Sequence, residues 1–471
     1  MTAPALLWLR RELRLRDNAA LAAALESGRP VLPVFVLDDT TPGAWAPGGA
    51  SRWWLHHSLA ALADDLAARG APLVLRRGRV EDELPRLVAE TGAVEIHAGL
   101  PTEPWARKAI TRLEKAVPLH LHRTATLFTG EDIRTQGGGP YSVFTPFARA
   151  CRARLGPAPP SPAPARIPAP TPPRSDRLDD WGLSPTRPDW AGGLRDTWTP
   201  GEACAQRRLA DFVPEGLASY DRTRDLPGQS GTSGLSPHFA FGEISPDEAW
   251  IAASRSGEGK GAEVWQNELL WREFSAHLLW HNPDLPEAPL RREFDKMPWR
   301  QDAAALAAWR RGMTGVPTVD AGMRQLWHTG WMHNRVRMIV ASFLAKHLLL
   351  PWQHGEAWFW DTLVDADLAS NSAQWQWVAG CGADAAPYFR IFNPVLQGLK
   401  FDPEGDYVRR WVPELARLPP KELQAPWAAP EMLLRAAGVV LGRTYPHPIV
   451  DLAAGRQRAL AALETVTAAK G

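Results

Sequence analysis

Short apolar runs alternate with longer segments of helical spacing through the first quarter of the chain. Residues 5–10 open with Ala5-Leu-Leu-Trp-Leu9, apolar at every position, as a strand buried on both faces would be. Val31–Leu37 is a second such run, and shorter ones follow at 73–75, 94–96 and 119–121. Helical spacing fills the gaps. One helix starts with Asp17 as its N-cap and ends near Gly28; others cover about 51–69, 80–91 and 104–116. Strands alternating with helices predict a parallel, doubly wound sheet. No Gly-x-Gly-x-x-Gly follows the first strand; Arg10-Arg-Glu-Leu-Arg14 stands there instead. That disfavours a standard dinucleotide site, although such sheets bind ligands at the carboxyl ends of their strands.

The period then breaks. Nine of residues 157–173 are proline, which predicts an extended linker over 156–173 and a connection reaching about 200. From about 203 the pattern is helical to the end. The expected division is therefore an α/β domain over 1–130, a linker over 131–202 and an all-α domain over 203–471.

Several helical stretches carry chemistry. Gly231-Thr-Ser-Gly-Leu-Ser236 precedes Pro237, which predicts Ser236 as N-cap and Pro237 as first helical residue. Hydroxyl residues ahead of a helix can hold an anion, or simply cap it. Ser245-Pro-Asp-Glu248 has the spacing of a capping box. In a helix over about 263–280, Glu268, Trp271, Arg272 and Ser275 share one face, either as a binding face or as a Glu268–Arg272 pair beside a packed Trp. Asn334 and Met338 are four apart and project together. Arg335 and Arg337 lie on different faces, Arg335 suited to a phosphate and Arg337 to Asp365. His333 reads as a structural histidine. Residues 352–377 hold five Trp around Asp365, Asp367 and Asn371. Carboxylates in so apolar a setting need hydrogen-bond donors, a cation or a polar ligand, unless they sit at a solvated helix end.

Composition narrows the classes. At 471 residues with 45% apolar and 22% charged positions, the chain is an ordinary globular protein of more than one domain. Trp is unusual: 23, against 5 Tyr, with fifteen of them after residue 200. The net charge of +1 excludes a global field for nucleic acid, so DNA contact would need a local basic patch. Three scattered cysteines, 151, 204 and 381, predict a reducing, cytoplasmic setting without disulfides. No ligand spacing suggests a metal, no run of ~18 apolar residues suggests a membrane span, and no signal peptide or long tail is expected.

Asp365-Ala-Asp-Leu-Ala-Ser-Asn371 followed by Trp375-Gln-Trp377 resembles the flavin-binding segment of the DNA photolyase/cryptochrome family. The match continues through Gly382–Pro394. Trp8–Asn18 resembles the family's opening signature, and Asn267–Phe274 its segment between flavin and lesion. The resemblance covers nearly the whole chain and is closest to the photolyases of cyclobutane pyrimidine dimers. It implies FAD as cofactor, UV-damaged DNA as partner and a monomer. An antenna pigment is implied in the first domain, methenyltetrahydrofolate favoured over a deazaflavin. Glu103 matches an acidic position near it, and is otherwise a first-turn helix acid.

The resemblance also implies roles. The phosphate loop of FAD falls on Thr232, Ser233, Gly234, Leu235 and Ser236; some members carry Arg at the position of Gly234. Further flavin contacts fall on Tyr220, Trp265, Arg272, Trp331 and Arg337. Asp365 and Asp367 serve the flavin and its ribityl chain, and Asn371 meets the reactive ring nitrogen. Glu268 and Asn334 touch both flavin and lesion. Trp271, Trp377 and Met338 form walls for the flipped bases, while Arg224, Arg335 and Arg390 anchor phosphates. Trp375, Trp352 and Trp299 match a tryptophan chain from flavin to surface. Alternatives are a cryptochrome, disfavoured by Asn371; a (6-4) photolyase, which typically has two His where Asn334 and Met338 stand; and a redox flavoprotein without DNA.

Overall fold

The computed structural model describes all residues except 1, 157, 258, 386–388 and 469–471. Part of the proline run (157) and of the Gly382–Pro394 match (386–388) thus lies outside the described residues. The chain forms two compact units: Met1–Ala218 with Ser233–Pro283 and Val364–Ser370, and Ser219–Thr232 with Asp284–Leu363 and Asn371–Gly471.

The first unit holds a five-stranded, all-parallel sheet: β1 (Ala5–Leu9), β2 (Val31–Leu37), β3 (Val74–Arg77), β4 (Glu95–Gly99) and β5 (Leu119–His122), in the order β3-β2-β1-β4-β5. Ala5 is in register with Val31 on one side and Glu95 on the other. The alternation of β1 feeds two cores. Leu7 and Leu9 join Phe35, Leu55 and Leu59; Leu6 and Trp8 join Val34, Leu84 and Ile110. Burial on both faces explains why the strand reads as a continuous apolar run. The intervening helices are α1 (Ala19–Glu26), α2 (Gly49–Ala67), α3 (Val80–Thr91) and α4 (Pro104–Leu113).

Asp17 is not the cap of α1. Asn18 is, its side chain accepting Leu21 N at 3.1 Å. Asp17 takes a left-handed backbone (φ 49°), which a short polar side chain tolerates, and its carboxylate accepts Ser161 N and Ser245 Oγ instead. The arginine run after β1 has a structural member. Arg14, 1% exposed, donates to the carbonyls of Arg16, Asp17, Thr124 and Gly242 at 2.8–3.1 Å. Residues 158–177 contain no helix or strand, yet they are tied down. Val31 N donates to Pro168 O, Ile167 N to Arg69 O, and Ile167 itself is buried in the sheet's core.

Helices Phe144–Arg154, Gly192–Thr197, Glu202–Glu215, Ser236–Ala240, Pro246–Arg255 and Lys260–His281 also belong to the first unit. Ser245 caps Pro246–Arg255 through Glu248 N, but the Glu248 carboxylate turns to Arg16 and Gln206 rather than back to the cap. The second unit is helical, with Ala303–Arg310, Pro317–Thr329, Asn334–Ser342, a π turn at Phe343–His347, Trp352–Thr362 and Pro394–Phe401 among its elements. No described helix is long and apolar enough to cross a membrane.

Candidate functional site

In the first unit, the order β3-β2-β1-β4-β5 reverses direction between β1 and β4. That is where an open α/β sheet leaves a crevice. A small cavity of about 30 Å³, partly open to solvent, lies there, and Arg10, Arg11, Glu103, Phe239, Arg272 and Asp367 are among the residues lining it. Glu103 flanks α4 without capping it. Its carboxylate meets Arg10 at 3.4 Å and Arg11 at 3.1 Å. Burial pushes this acid up, but the two guanidinium groups win and hold it at about 2. The first-turn reading of Glu103 is thus corrected: it is the anionic centre of an arginine pair. Arg11 also lies 3.7 Å from Asp367. Asp367 in turn accepts Ser370 N at 2.9 Å, capping the helix that begins at Leu368. Asp365 is buried, 9% exposed.

Gly234 has φ +63°, and a Cβ there would lie 2.6 Å from Arg208 Nη1. The left-handed backbone favours glycine here, and an added Cβ would need the Arg208 guanidinium to shift. Ser236 is the first residue of the five-residue helix Ser236–Ala240, and Leu235 stands at the N-cap position without a side-chain cap bond. The expected Ser236 cap is overturned: Leu235 already has a helical backbone (φ −88°, ψ −6°), so the cap position falls one residue early.

On Lys260–His281, Trp265 is buried against Phe212, whereas Glu268, Trp271 and Arg272 are half-buried. One face of Trp271 is taken by Phe144, stacked at 3.7 Å and 5°. Arg272 lies 3.6 Å from Glu273 and 5.7 Å from the Phe239 ring. Burial raises Glu273 to about 7.

In the second unit, Tyr220 is buried and lies 5.6 Å from the guanidinium of Arg224. Thr232 belongs to this unit. Asn334 is exposed, with Arg335 and Met338 half-buried on the same helix. His333 caps that helix, its Nδ1 accepting Arg335 N at 3.2 Å, and burial lowers it to about 4. A neutral capping imidazole is the structural role expected of it. Arg335 donates to Asp225 at 2.7 Å and lies over Phe401 at 4.3 Å. Arg337 donates to Met332 O and lies 6.0 Å from Trp331.

Asn371, 9% exposed, donates from Nδ2 to Glu356 O at 3.0 Å, which orients its amide and turns the oxygen the other way. Glu356 is 1% exposed, accepts Ser372 Oγ at 2.5 Å and is pushed by burial to about 8. It is a neutral acid beneath Asn371, and it is the residue sequence reading missed. Its signal was present: Glu356 lies one turn after Trp352 on one face.

Trp375 (3% exposed) and Trp352 (1%) are buried, and Trp299 is half-buried. Gly355, one turn from Trp352, lets the Trp375 ring in: a Cβ there would meet it at 2.1 Å. Trp377 donates to Asp384 O, and the exposed Arg390 lies 5.4 Å from its ring.

Residues 5–166 match the model of the DNA photolyase domain and 265–465 that of the FAD binding domain of DNA photolyase. The chain belongs to the DNA photolyase family. It is 50% identical to a deoxyribodipyrimidine photo-lyase of Agrobacterium fabrum, over 99% of this chain and 98% of the relative. It is 36% identical to Cryptochrome-1 of Arabidopsis thaliana, over 96% and 69%. Among solved structures, a class III photolyase of Agrobacterium tumefaciens superposes with a TM-score of 0.95 at 49% identity, covering 99% and 98%.

Proposed function

We propose that this protein is a light-driven DNA repair enzyme that binds FAD without a covalent link and splits cyclobutane pyrimidine dimers. The observation that carries the reading is Asn371, its amide fixed by the Glu356 carbonyl inside the segment matched to the FAD-binding domain. These residues fit the group: an oriented amide, two acids and a loop of glycine and hydroxyl residues suit a polar, phosphate-bearing flavin. When bound and reduced, the flavin supplies the light-driven electron that opens the dimer.

The chain's own residues do the rest. Asp365, Asp367, Arg272, Arg337 and Asn371 hold the cofactor, with Tyr220, Trp265 and Trp331 as walls and Thr232–Ser236 at its phosphates. The lesion must leave the duplex, which costs a few kcal/mol and least for a damaged pair. Glu268 and Asn334 hydrogen-bond the flipped bases; Trp271, on the face not covered by Phe144, Trp377 and Met338 wall them. Arg224, Arg335 and Arg390 meet phosphates. Of these Arg390 is the most available, while Arg335 must release Asp225. Trp375, Trp352 and Trp299 carry electrons inward, and an antenna pigment, methenyltetrahydrofolate rather than a deazaflavin, feeds the site light.

The test is dimer loss from defined DNA under blue light, against darkness and against (6-4) lesions, on protein whose released flavin has been identified. Dimer loss in light alone supports the reading. Repair of the (6-4) lesion alone overturns the lesion assignment, and no repair with reduced FAD present moves the protein to the light sensors. A colourless protein that takes up no FAD overturns all of it.

A further inference from the structure

In the second unit, one carboxylate sits between two of the arginines assigned to phosphate. Asp225 follows Arg224 in the chain, just past the short helix Tyr220–Thr223. Its Oδ2 accepts Arg335 Nη2 at 2.7 Å, and its Oδ1 lies 3.7 Å from Arg224 Nε. Each carboxylate oxygen thus serves a different guanidinium. Guanidinium groups match the oxygens of carboxylate and phosphate alike, so a DNA phosphate would make the same pair of contacts. The acid stands where that phosphate would go.

Both arginines are also held by other side chains. The Arg335 guanidinium lies 4.3 Å over the Phe401 ring, with its Nη1 3.8 Å from Met338 Sδ, and Arg224 lies 5.6 Å from the Tyr220 ring. Both are recessed, with side chains 18% and 19% exposed, whereas the Asp225 side chain is 32% exposed. A third cation stands further out. Lys400 is exposed, and its Nζ lies 5.1 Å from the same Phe401 ring. The patch therefore has one outer charge open to solvent and two inner charges already paired.

These depths treat two kinds of DNA differently. A straight, undamaged duplex keeps its phosphates at the protein surface, where they meet Lys400 but are repelled by the Asp225 carboxylate. To reach Arg224 and Arg335, the backbone must be drawn inward and the carboxylate displaced. Intact DNA resists that deformation more than a damaged site, whose pairing and stacking are already weakened. On the phosphate reading of Arg224 and Arg335, we propose that Asp225 is a specificity-determining residue. It occupies both arginines in the free protein, weakens the binding of undamaged duplex, and gives way to a phosphate of the strand that carries a flipped lesion.

The test compares the full-length protein with Asp225→Asn on two labelled duplexes, identical except for one cyclobutane dimer, in the dark and at several salt concentrations. Asn keeps the shape and removes the charge. Undamaged duplex should bind Asp225→Asn about tenfold more tightly at low salt and with a steeper salt dependence, because a further phosphate contact releases counterions. The dimer duplex should gain about threefold or less, so the preference for the lesion shrinks. Equal gains on both duplexes, or no gain on either, overturn the proposal. So does weaker binding to both, the result of an acid that only props the arginines. Asp225→Ala gives the same reading should the Asn variant not fold. Arg335→Gln separates this inference from the one beneath it. It should bind both duplexes more weakly and with a shallower salt dependence. If it binds both unchanged, Arg335 meets no phosphate, and the phosphate reading and the role of Asp225 fall together. If it weakens binding while Asp225→Asn leaves the lesion preference intact, only the role of Asp225 falls.

Discussion

The polar core behind β1 and the Trp-rich segment 352–377 both bury charge-bearing side chains, and they do so in opposite ways. Behind β1, Arg14 gives its donors to four carbonyls, and Glu12 accepts Arg10 N at 2.9 Å. In the Trp-rich segment, Asn371 engages only its nitrogen in the contact to Glu356, and Glu356 escapes its charge by keeping a proton. A saturated network rigidifies; a partly engaged one keeps capacity for a ligand. The first region reads as scaffold, the second as a seat for a cofactor.

The contrast can be broken most directly at Arg14. Arg14→Met takes the guanidinium from two buried carbonyls, Thr124 and Gly242, and two part-buried ones, and should cost about 3–5 kcal/mol of stability. Urea unfolding of the two proteins measures it. A loss below ~1 kcal/mol would mean that water replaces the guanidinium and that this core is not closed.

The lesion face should behave differently, because its residues were left half-buried. Glu268→Ala should weaken binding of dimer-containing DNA by ~1–3 kcal/mol, and Trp271→Ala by a similar ~1–3 kcal/mol through lost stacking. Neither should release flavin. Titration of a labelled lesion duplex, repeated at rising salt, reads both the loss and the phosphate contribution. Loss of flavin in either variant would place that side chain in the cofactor seat instead.

How much of this was legible follows the same divide. β2 and α3 match their expected bounds because a strand buried on both faces, or a helix with a clean polar face, announces its period. Asp17 misled because a left-handed Asp followed by Asn offers two candidate caps, and only the Ser161 and Ser245 contacts, 144 and 228 residues away, decide between them. Ser236 misled because a five-residue helix has no room for a full capping pattern. The proline run was readable as extended backbone, but its hydrogen bonds to Arg69 and Val31 are long-range and leave no local mark. In 352–377 the Trp residues fall on several faces, so periodicity carried little. The roles there came from family resemblance, and Glu356, which has no part in that motif, went unseen.

Gly355→Ala probes the packing of the Trp-rich segment. The added methyl would meet the buried Trp375 ring, so the ring must move, at ~1–3 kcal/mol. Photoreduction of oxidised flavin should slow with it. Trp375→Phe should slow it further, while repair by chemically reduced enzyme persists. Unchanged photoreduction in Trp375→Phe would show that another route carries the electron.

The finest test concerns the proton on Glu356. In the folded protein burial holds this acid at about 8, against an ordinary 4.5 in the unfolded chain. Between those values the folded state keeps a proton that the unfolded state has lost. The folded state therefore binds more protons, and stability falls as pH rises. The contribution is fully present below pH ~4.5, declines by up to ~1.4 kcal/mol per pH unit, and is spent above about 8. Glu356→Gln keeps the shape and an acceptor for Ser372 but cannot titrate. The difference in unfolding free energy between wild type and Glu356→Gln should therefore slope with pH from about 5 to 8, the variant gaining relative stability toward the alkaline end. A flat difference would mean that Glu356 is ionised in the folded state. The Trp-rich segment would then hold a buried anion beneath Asn371, and the division between a closed scaffold and a neutral, receptive seat would have to be redrawn at that residue.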